Sequence, residues 1–292
     1  MDLTLIIVNY NTADLLKDCL NSICKKKWGV SWQIWVVDNG SSDDSVKMVK
    51  KNFPQVSIIQ SSKNLGFAGG NNLGLKKVTS KYALLLNSDT IIGDQALDNL
   101  IEFATEGGYG ICSCRLLNQD GTPQPNTGDL PYPLAIFFWL SGLDDLPFFG
   151  SLWPSFHKKD IKEGEVGWVA GTAMLISKSV LDKIGLLDEA LFMYAEDTDF
   201  CLRATKAGFK IGWTKKAQIT HLGGGSLKDP SFNQWLGEFR GLIYIYEKYF
   251  GALASYLIKM LFYIFIAARM VVFFILGKFR VSKTYAKVLF SI

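Results

Sequence analysis

The segment Phe192–Asp199 places closely spaced carboxylates directly after an apolar lead. Glu196, Asp197 and Asp199 fall within four positions, behind Phe-Met-Tyr-Ala. Apolar packing on one side of a carboxylate fixes its position, and a fixed carboxylate can accept a proton from an attacking hydroxyl group. The first turn of an ordinary helix favours the same acidic residues because of the helix dipole alone. The segment therefore predicts a general base or an acidic helix start, and other motifs must decide between them.

A second set of polar residues closes an apolar strand. The run Ala83–Leu86 is followed by Asn87, Ser88 and Asp89. A carboxylate at the end of a strand can hold a divalent cation that bridges diphosphate oxygens. A metal site usually has more than one carboxylate, so a turn or a helix cap is the alternative interpretation of these three residues.

Two glycine-rich segments could approach a phosphate group or a sugar through backbone N–H groups. The first begins with Asn64 and Gly66, opens a predicted helix, and lacks the Gly-Lys-Ser/Thr sequence of a P-loop. The second follows His221, one of two histidines in the chain. In a polar loop in front of three glycines, this histidine is a candidate metal or phosphate ligand. The alternative for the first segment is a tight turn, and the alternative for His221 is an ordinary surface histidine.

Strands and helices that could position these residues alternate along the first ninety residues. Apolar strands are predicted at 3–8, 33–37, 56–59 and 82–86, with helices between them. This order predicts an α/β fold with a mostly parallel central sheet flanked by helices. Ligands of such sheets bind at the carboxyl ends of the strands, where the polar residues of this chain cluster. No glycine follows the first strand directly, which argues against a dinucleotide-binding site.

The last 45 residues differ in charge from the rest of the chain. From Lys248 onward there are seven Lys or Arg and no Asp or Glu, which leaves 24 basic and 27 acidic residues before it. Residues 252–277 are apolar apart from Lys259 and Arg269, which lie about 80° apart on a helical wheel. One basic stripe beside an apolar face predicts a helix in the membrane interface, with basic residues near anionic headgroups. A soluble helical hairpin and a spanning helix are the alternatives.

The five cysteines are odd in number and form no C-x-x-C pair. This pattern predicts neither a disulfide framework nor a zinc site.

Seven motifs in one order resemble those of the family 2 inverting glycosyltransferases, and most closely the bacterial rhamnosyltransferase-like branch. Each motif is weak alone, but the ordered set is specific and extends from residue 3 to about residue 226. The motifs are, in chain order, Ile6–Asn11, Val36–Ser42, Asn64–Asn72, Leu85–Asp89, Gly171–Leu175, Glu196–Asp199 and His221–Ser226.

The resemblance implies a GT-A fold and a nucleotide-sugar donor. Asp38 corresponds to the aspartate that recognises the pyrimidine base, and Asn9 and Tyr10 belong to the loop around that base. Asn64 and Gly66 match the loop that closes on the nucleotide and the sugar.

The resemblance also implies a metal site and a base. Asn87-Ser88-Asp89 stands where the family has Asp-x-Asp, so Asp89 is the expected metal ligand. His221 matches a later ligand of the metal or the diphosphate. Glu196 and Asp197 form the family's Glu-Asp pair, with Asp197 as the usual base. Asn87 departs from the pattern and leaves Asp89 as the one carboxylate of that motif.

We therefore expect a metal-dependent inverting glycosyltransferase that uses Mg²⁺ or Mn²⁺ and a dTDP- or UDP-sugar, with dTDP-L-rhamnose as the first candidate donor. The expected acceptor is a lipid-linked or cell-envelope saccharide, and nucleic acid is not an expected partner. The expected location is the cytoplasmic face of the cytoplasmic membrane, as a peripheral or monotopic protein. The predicted domains are 1–230, with a nucleotide-sugar half (1–90) and an acceptor half (91–230), and a helical, membrane-associating region at 231–292.

Two alternatives belong to other functional classes. A sugar nucleotidyltransferase would carry a glycine-rich, Arg- or Lys-bearing loop after the first strand, and Asn9–Thr12 lacks one. A non-catalytic saccharide-binding protein would not require Asp38, Asp89, Asp197 and His221 together.

Overall fold

The computed structural model describes residues 1–145, 153–158, 161–223 and 232–292, and these residues fall into two compact units. Residues 224–226 of the His221 motif lie outside the described residues. The first unit is drawn from Met1–Gly128, Lys158–Phe192 and Glu196–Ser226, and the second from Asp129–His157, Met193–Ala195 and Leu227–Ile292. The second unit thus takes in residues well before the predicted boundary at 230.

The strands and helices follow one another in an alternating order through the first half of the chain. The strands are β1 (Leu3–Asn9), β2 (Trp32–Asp38), β3 (Ser57–Gln60), β4 (Tyr82–Asn87), β5 (Thr90–Ile92), β6 (Tyr109–Leu117), β7 (Pro123–Gln124), β8 (Thr127–Gly128), β9 (Gly164–Glu165), β10 (Trp168–Val169), β11 (Ala173–Ser177) and β12 (Lys210–His221). The helices are α1 (Ala13–Cys24), α2 (Ser45–Asn52), α3 (Gly66–Leu75), α4 (Ala96–Gly107), α5 (Pro133–Ser141), α6 (Lys178–Ile184), α7 (Glu196–Lys206), α8 (Phe232–Phe250), α9 (Ala252–Ile275) and α10 (Phe279–Leu289), with a 3₁₀ turn at Leu143–Asp145.

The central sheet has the strand order β3-β2-β1-β4-β11-β6-β12-β5. Strands β3, β2, β1 and β4 are all parallel, as predicted from their βαβ connections. Beyond β4 the sheet is mixed, because β11 runs antiparallel to both β4 and β6. The predicted α/β architecture is confirmed, and its parallel part is the half that contains the polar strand ends.

Apolar side chains of the sheet and of α1 and α4 form the main core of the first unit. The spacing of Leu15, Leu16, Cys19, Leu20 and Ile23 predicts one buried face of α1. The last four are fully buried, whereas Leu15 is only partly buried. Leu84 and Leu86 of β4 pack in the same core. The core thus packs along the length of the strands, whereas the polar residues lie at their carboxyl ends.

The second unit consists mainly of α5, α8, α9 and α10. Among the described residues, α9 is the one helix long and apolar enough to cross a membrane, by length and composition. The sequence predicts that Lys259 and Arg269 form one basic stripe beside the apolar face, near anionic headgroups, but Arg269 has its partners within the protein. Its guanidinium donates to the carbonyl oxygens of Leu140 (2.9 Å) and Trp139 (3.3 Å), because it lies on the packed side of α9.

Asn72 links α3 to the chain segment that precedes α7. Its side-chain Nδ2 donates to the carbonyl oxygen of Leu187 and to Glu189 Oε1, each at 2.9 Å, and its Oδ1 accepts from the Leu187 N–H at 3.0 Å. The side chain is 2% exposed. Both backbone groups of Leu187 thus depend on this one amide.

We expect Asn72→Ala to lower the free energy of unfolding by about 2–3 kcal/mol, because it leaves two backbone groups without partners in a buried position. The control is Asn71→Ala, since Asn71 is equally buried but donates to the Phe67 carbonyl oxygen within its own helix. Its expected loss is about 1 kcal/mol. Urea unfolding of the three proteins measures both values, and equal losses would contradict the bridging role of Asn72.

Candidate active site

The carboxyl ends of three neighbouring strands bring the predicted donor-site residues together. In the parallel register Asn9 of β1 lies opposite Asp38 of β2, and Val8 lies opposite Asn87 of β4. The first unit also contains every other predicted site residue. The polar ends of the strands therefore form one continuous edge, as the sequence predicts.

Asp38 has a buried oxygen that lacks a hydrogen-bond partner. The residue is 4% exposed, and its Oδ1 has no donor within the described part of the protein. A buried carboxylate oxygen without a donor is energetically costly. The position is therefore suited to a ligand that supplies an N–H or O–H group.

Asn39, next to Asp38, holds the glycine-rich loop in place. Its Nδ2 donates to Asn64 Oδ1 and to the carbonyl oxygen of Gly66, both at 3.0 Å, and its Oδ1 accepts from the Leu65 N–H at 3.0 Å. Asn64 Oδ1 in turn accepts from the Gly66 N–H at 2.8 Å. Sequence reasoning gave Asn39 no role, although its place directly after a strand-end aspartate was an available signal.

Gly66 allows this loop to pass close to the segment before α7. Its φ is +75°, and a Cβ at this position would lie 2.2 Å from the carbonyl oxygen of Phe192. The next residue, Phe67, donates its N–H to the same oxygen at 2.7 Å. Only glycine fits here, because both the backbone conformation and the close approach exclude a side chain.

Hydroxyl groups join the ends of β1, β2 and β4. The buried Asn9 donates from Nδ2 to Ser41 Oγ (3.2 Å) and accepts from Thr12 Oγ1 (2.7 Å). Thr12 Oγ1 also lies 3.0 Å from Ser88 Oγ. Tyr10 is about half exposed beside them, so its ring is accessible to a planar ligand.

Asp89 and His221 lie in direct contact, although 132 positions separate them in the chain. Asp89 Oδ1 is 3.2 Å from His221 Nε2. The pairing of β12 with β5 places His221 opposite Thr90, and the Leu222 N–H donates to the Asp89 carbonyl oxygen at 2.8 Å. Gly223 allows the chain after His221 to pass close to Asp89, because a Cβ at this position would lie 1.9 Å from Asp89 Oδ2.

Gln124 orients the imidazole ring of His221. Gln124 Oε1 lies 2.7 Å from His221 Nδ1, so that Nδ1–H donates to it. His221 Nε2 then faces Asp89 and lies 3.5 Å from Asn87 Nδ2. Sequence reasoning missed Gln124. Its signal is the Asn-Gln-Asp-Gly turn at 118–121, which folds β7 back onto β6 and pairs Gln124 with Leu116.

The Asp89–His221 pair fits two adjacent ligands of one divalent cation. Two neighbouring ligands about 2.1 Å from an octahedral ion lie about 3 Å apart, close to the 3.2 Å between Asp89 Oδ1 and His221 Nε2. A hydrogen bond at Nδ1 is the usual way to direct the other nitrogen of a ligating histidine. The described residues contain no cluster of three or more His, Cys, Asp or Glu that could hold a metal. A cation here would therefore need further oxygen ligands from a bound molecule or water.

Asp197 lies at the start of α7 with its carboxylate held by backbone N–H groups. Its Oδ2 accepts from the Gly171 N–H at 3.1 Å, and its Oδ1 accepts from the Thr198 N–H at 2.7 Å. The residue after Gly171 connects this carboxylate to the end of β4, because the Thr172 carbonyl oxygen accepts from the Asn87 N–H at 3.0 Å. Asp197 is thus fixed relative to the strand edge that carries Asp38 and Asn87.

Glu196 occupies a different environment from its neighbour. It is buried, and its Oε2 has no partner within the described residues. Burial raises the pKa of Glu196 well above its ordinary range, and the negative charge of Asp197 adds to the shift. The pair therefore divides into a carboxyl group that favours its neutral form and an oriented carboxylate that remains partly accessible.

The model of the family described as glycosyl transferase family 2 matches residues 4–185 of the chain. A low-salt glycan biosynthesis hexosyltransferase of Haloferax volcanii is 31% identical over 224 residues, which cover 75% of this chain and 67% of that protein. An N-acetylglucosaminyl-diphospho-decaprenol L-rhamnosyltransferase of Mycobacterium tuberculosis is 23% identical over 208 residues, or 64% of this chain and 66% of that protein. The chain spans about two thirds of the length of these curated relatives.

Solved structures share the fold. S. aureus TarS 1–349 in complex with UDP matches with a TM-score of 0.54 at 17% identity, over 85% of this chain and 66% of that one. Another S. aureus TarS structure matches with a TM-score of 0.56, over 85% of this chain and 40% of that one. The predicted GT-A type of α/β fold is confirmed by this likeness.

We expect the neutral imidazole of His221 to carry its proton on Nδ1, because Gln124 Oε1 accepts from that atom. In Gln124→Leu the acceptor is lost, and the proton should move to Nε2, toward the Asp89 carboxylate. In the control Gln124→Glu an acceptor oxygen remains, so the Nδ1–H form should persist. ¹⁵N shifts of labelled histidine at about pH 8.5, where a typical imidazole is neutral, distinguish the forms.

The second histidine, His157, is assigned in that spectrum by a His157→Gln variant. A wild-type His221 signal dominated by the Nε2–H form would contradict the orienting role of Gln124.

Proposed function

Because the chain belongs to glycosyl transferase family 2, we propose that it transfers a sugar with inversion from a pyrimidine nucleotide sugar to a saccharide hydroxyl group. One observation carries the proposal. The first unit holds, along one strand edge, a buried Asp38 oxygen without a donor, the paired Asp89 and His221, and the oriented Asp197 carboxylate. These three groups differ chemically, and the proposed substrates contain a matching part for each. The nucleotide base would pair with Asp38, the diphosphate with the Asp89–His221 site, and the acceptor hydroxyl with Asp197.

The base of the nucleotide is the proposed partner of Asp38. Uracil and thymine each present an N3–H group, which can donate to the Asp38 oxygen that lacks a donor. Tyr10, about half exposed next to Asn9, offers a ring face for the same base. The loop of Asn64 and Gly66 would close over the nucleotide from the other side.

The donor sugar and the acceptor are proposed from the relatives. One relative is named as a decaprenol-linked rhamnosyltransferase, and a structural neighbour was solved with UDP. We take dTDP-L-rhamnose as the first candidate donor and UDP-sugars as the second. A lipid-linked or cell-envelope saccharide is the proposed acceptor, at the cytoplasmic face of the membrane.

Asp197 is the proposed general base. Its carboxylate takes the proton of the acceptor hydroxyl as that oxygen forms a bond to the anomeric carbon. The bond from the anomeric carbon to the diphosphate oxygen breaks on the opposite face, and the nucleoside diphosphate leaves with the electron pair. The N–H groups of Gly171 and Thr198 hold the carboxylate in one orientation, which reduces the entropy lost on reaching the transition state.

Asp89 and His221 are the proposed ligands of Mg²⁺ or Mn²⁺, which when bound would neutralise charge on the diphosphate. Gln124 keeps His221 Nε2 directed toward Asp89. Asn87 in place of a second carboxylate leaves the protein with one formal negative charge in this motif. A weakly held cation that binds together with the nucleotide sugar is therefore expected.

One screen tests the proposal as a whole. Purified protein with Mg²⁺ or Mn²⁺ is incubated with a panel of dTDP-, UDP- and GDP-sugars, and the release of nucleoside diphosphate is measured with and without lipid-linked saccharide acceptors. Release from a dTDP- or UDP-sugar supports the proposed donor class. Binding or turnover restricted to a purine nucleotide sugar would contradict the role of Asp38.

We expect Asp197→Asn to lower turnover at least about 10²-fold, the lower range for loss of a general base, and to leave donor binding nearly unchanged. Asp182→Asn, at an exposed position on α6, is the control and should retain activity. Steady-state rates and donor affinity by calorimetry measure the two effects. Near-normal turnover in a folded Asp197→Asn protein would transfer the role of base to Glu196.

We expect Asp89→Ala and His221→Ala each to weaken nucleotide-sugar binding in the presence of Mg²⁺. The double variant should lose less than the sum of the two losses, because both residues act on one metal–diphosphate unit. Calorimetry of the four proteins gives the coupling free energy. Full additivity, or activity that EDTA leaves unchanged, would contradict the metal assignment.

A further inference from the structure

One face of α9 is apolar along its whole length and is exposed within the second unit. Its members all lie within an arc of about 100° on a helical wheel, at 100° per residue. We call this the outer face, and it includes Ile264, which is 61% exposed, and Ile275, which is 76% exposed. The outer face consists of Leu253, Tyr256, Leu257, Met260, Ile264, Val271 and Ile275.

The opposite side of α9 is packed against the protein. It carries Arg269, whose charge would oppose insertion into lipid if it lay on the outer face. Ile258, Phe262 and Ile266 are buried on that side, about 180° from the outer face at 100° per residue. Arg269 lies on the same side and donates to the last carbonyl groups of α5, at Trp139 and Leu140. Carbonyl groups at a helix C-terminus carry partial negative charge, so they stabilise this guanidinium. The outer face itself carries no charged residue.

The neighbours of α9 exclude a simple crossing of the bilayer. Ser255 on α9 donates to the Ile243 carbonyl oxygen of α8 (3.4 Å), and Ser282 on α10 donates to the Met270 carbonyl oxygen of α9 (2.9 Å). Both helices thus lie alongside α9. They carry Glu, Lys and Arg residues, and charged side chains at the bilayer centre are strongly unfavourable.

Aromatic residues of α5 extend the apolar surface. Phe137 is partly exposed and meets Phe265 of α9 edge to face, with ring centroids 5.8 Å apart. Phe138 stacks on Trp153, whose ring is about 40% exposed. The second unit therefore exposes large apolar side chains on α5 as well as on α9.

We infer that the outer face of α9 inserts into one leaflet of a membrane, with the helix axis parallel to the bilayer plane. The proposed occupant is lipid, because exposed basic residues and no acidic ones follow α9. Anionic headgroups complement that charge, whereas a second copy of the chain would bring the same seven positive charges of residues 248–292 and repel it. The exposed basic residues are Lys278, Arg280, Lys283 and Lys287. This inference rests on the membrane placement proposed above and not on the transfer reaction.

Depth measurements separate the parallel helix from a spanning one. Nitroxide labels are attached to the full chain through Leu257→Cys, Ile264→Cys or Val271→Cys, and their depth is measured in vesicles containing anionic phosphatidylglycerol. The native cysteines are buried or half-buried, and the wild-type protein reports their background labelling. Leu257 and Val271 are about 21 Å apart along a helix axis. A parallel helix gives the three labels similar depths, about 5–10 Å below the headgroup boundary.

A depth that changes steadily from 257 to 271, through a midplane position, would overturn the inference in favour of a spanning helix. Labels that stay in water with vesicles present would overturn it as well. Labels that are shielded without vesicles, in a chain that forms dimers, would show that a second copy covers the face and not lipid.

A matched pair of charge substitutions tests the surface itself. Ile264→Asp on the outer face should reduce partitioning into the same vesicles at least about tenfold, because it introduces a charge where the helix contacts hydrocarbon. Asn52→Asp, at an exposed position on α2 of the first unit, adds the same charge away from the basic segment and should reduce partitioning less than about threefold. Equal losses would overturn the assignment of the outer face.

Nucleotide-sugar binding by both variants is measured in parallel, without vesicles. Donor binding by the first unit should be unchanged in Ile264→Asp. An unchanged helical signal in far-ultraviolet circular dichroism shows that the second unit remains folded as well. Intact donor binding without the expected loss of partitioning in Ile264→Asp would mean that the membrane inference fails while the proposed function stands. Absence of donor binding in the wild-type protein would mean that the proposed function fails, whatever the vesicles show.

Discussion

The in-register parallel pairing of β1 with β2 and β4 is the constraint on which the proposed site depends. Parallel strands end at the same edge of a sheet, so pairing alone brings Asn9 opposite Asp38 and places Asn87 opposite Val8, one position away. The apolar residues of these strands are buried on both faces of the sheet, so the fit of their side chains against the packed neighbours fixes the register. The hydrophobic core therefore fixes the positions of polar residues that contribute nothing to it.

Amide side chains and glycines then attach the loops to this edge. Asn39 holds the loop of Asn64 and Gly66, and Gly66 allows that loop to contact the segment before α7. Asn72 fixes the same segment from the other end of α3. Because each amide satisfies several buried backbone groups at once, removing one of them loosens a loop and leaves the sheet intact.

The two units of the chain distribute charge in opposite ways. In the first unit, carboxylates gather at the strand edge, where N–H groups, an imidazole ring or a bound cation can compensate them. In the second unit, Arg269 is turned inward to helix carbonyl groups, and an uncharged face remains outside. Asp197 and Arg269 each lie beside backbone groups of opposite partial charge, whereas Asp38 keeps one buried oxygen without a donor, available to a ligand.

The sequence by itself determined the α/β class, the strand ends that carry Asp38 and Asn87, and the family, because local periodicity and ordered motifs encode them. It also indicated an apolar, basic C-terminal segment. It could not determine the contact between Asp89 and His221, since residues 132 positions apart meet only through the pairing of β12 with β5. Tertiary structure also decided three further contacts for the same reason. These are the contact of Gln124 with His221, the contact of Asn39 with the glycine-rich loop, and the contact of Arg269 with the carbonyl groups of α5. Hydrogen bonds between distant segments depend on which elements become neighbours, and no local pattern of residue types specifies that.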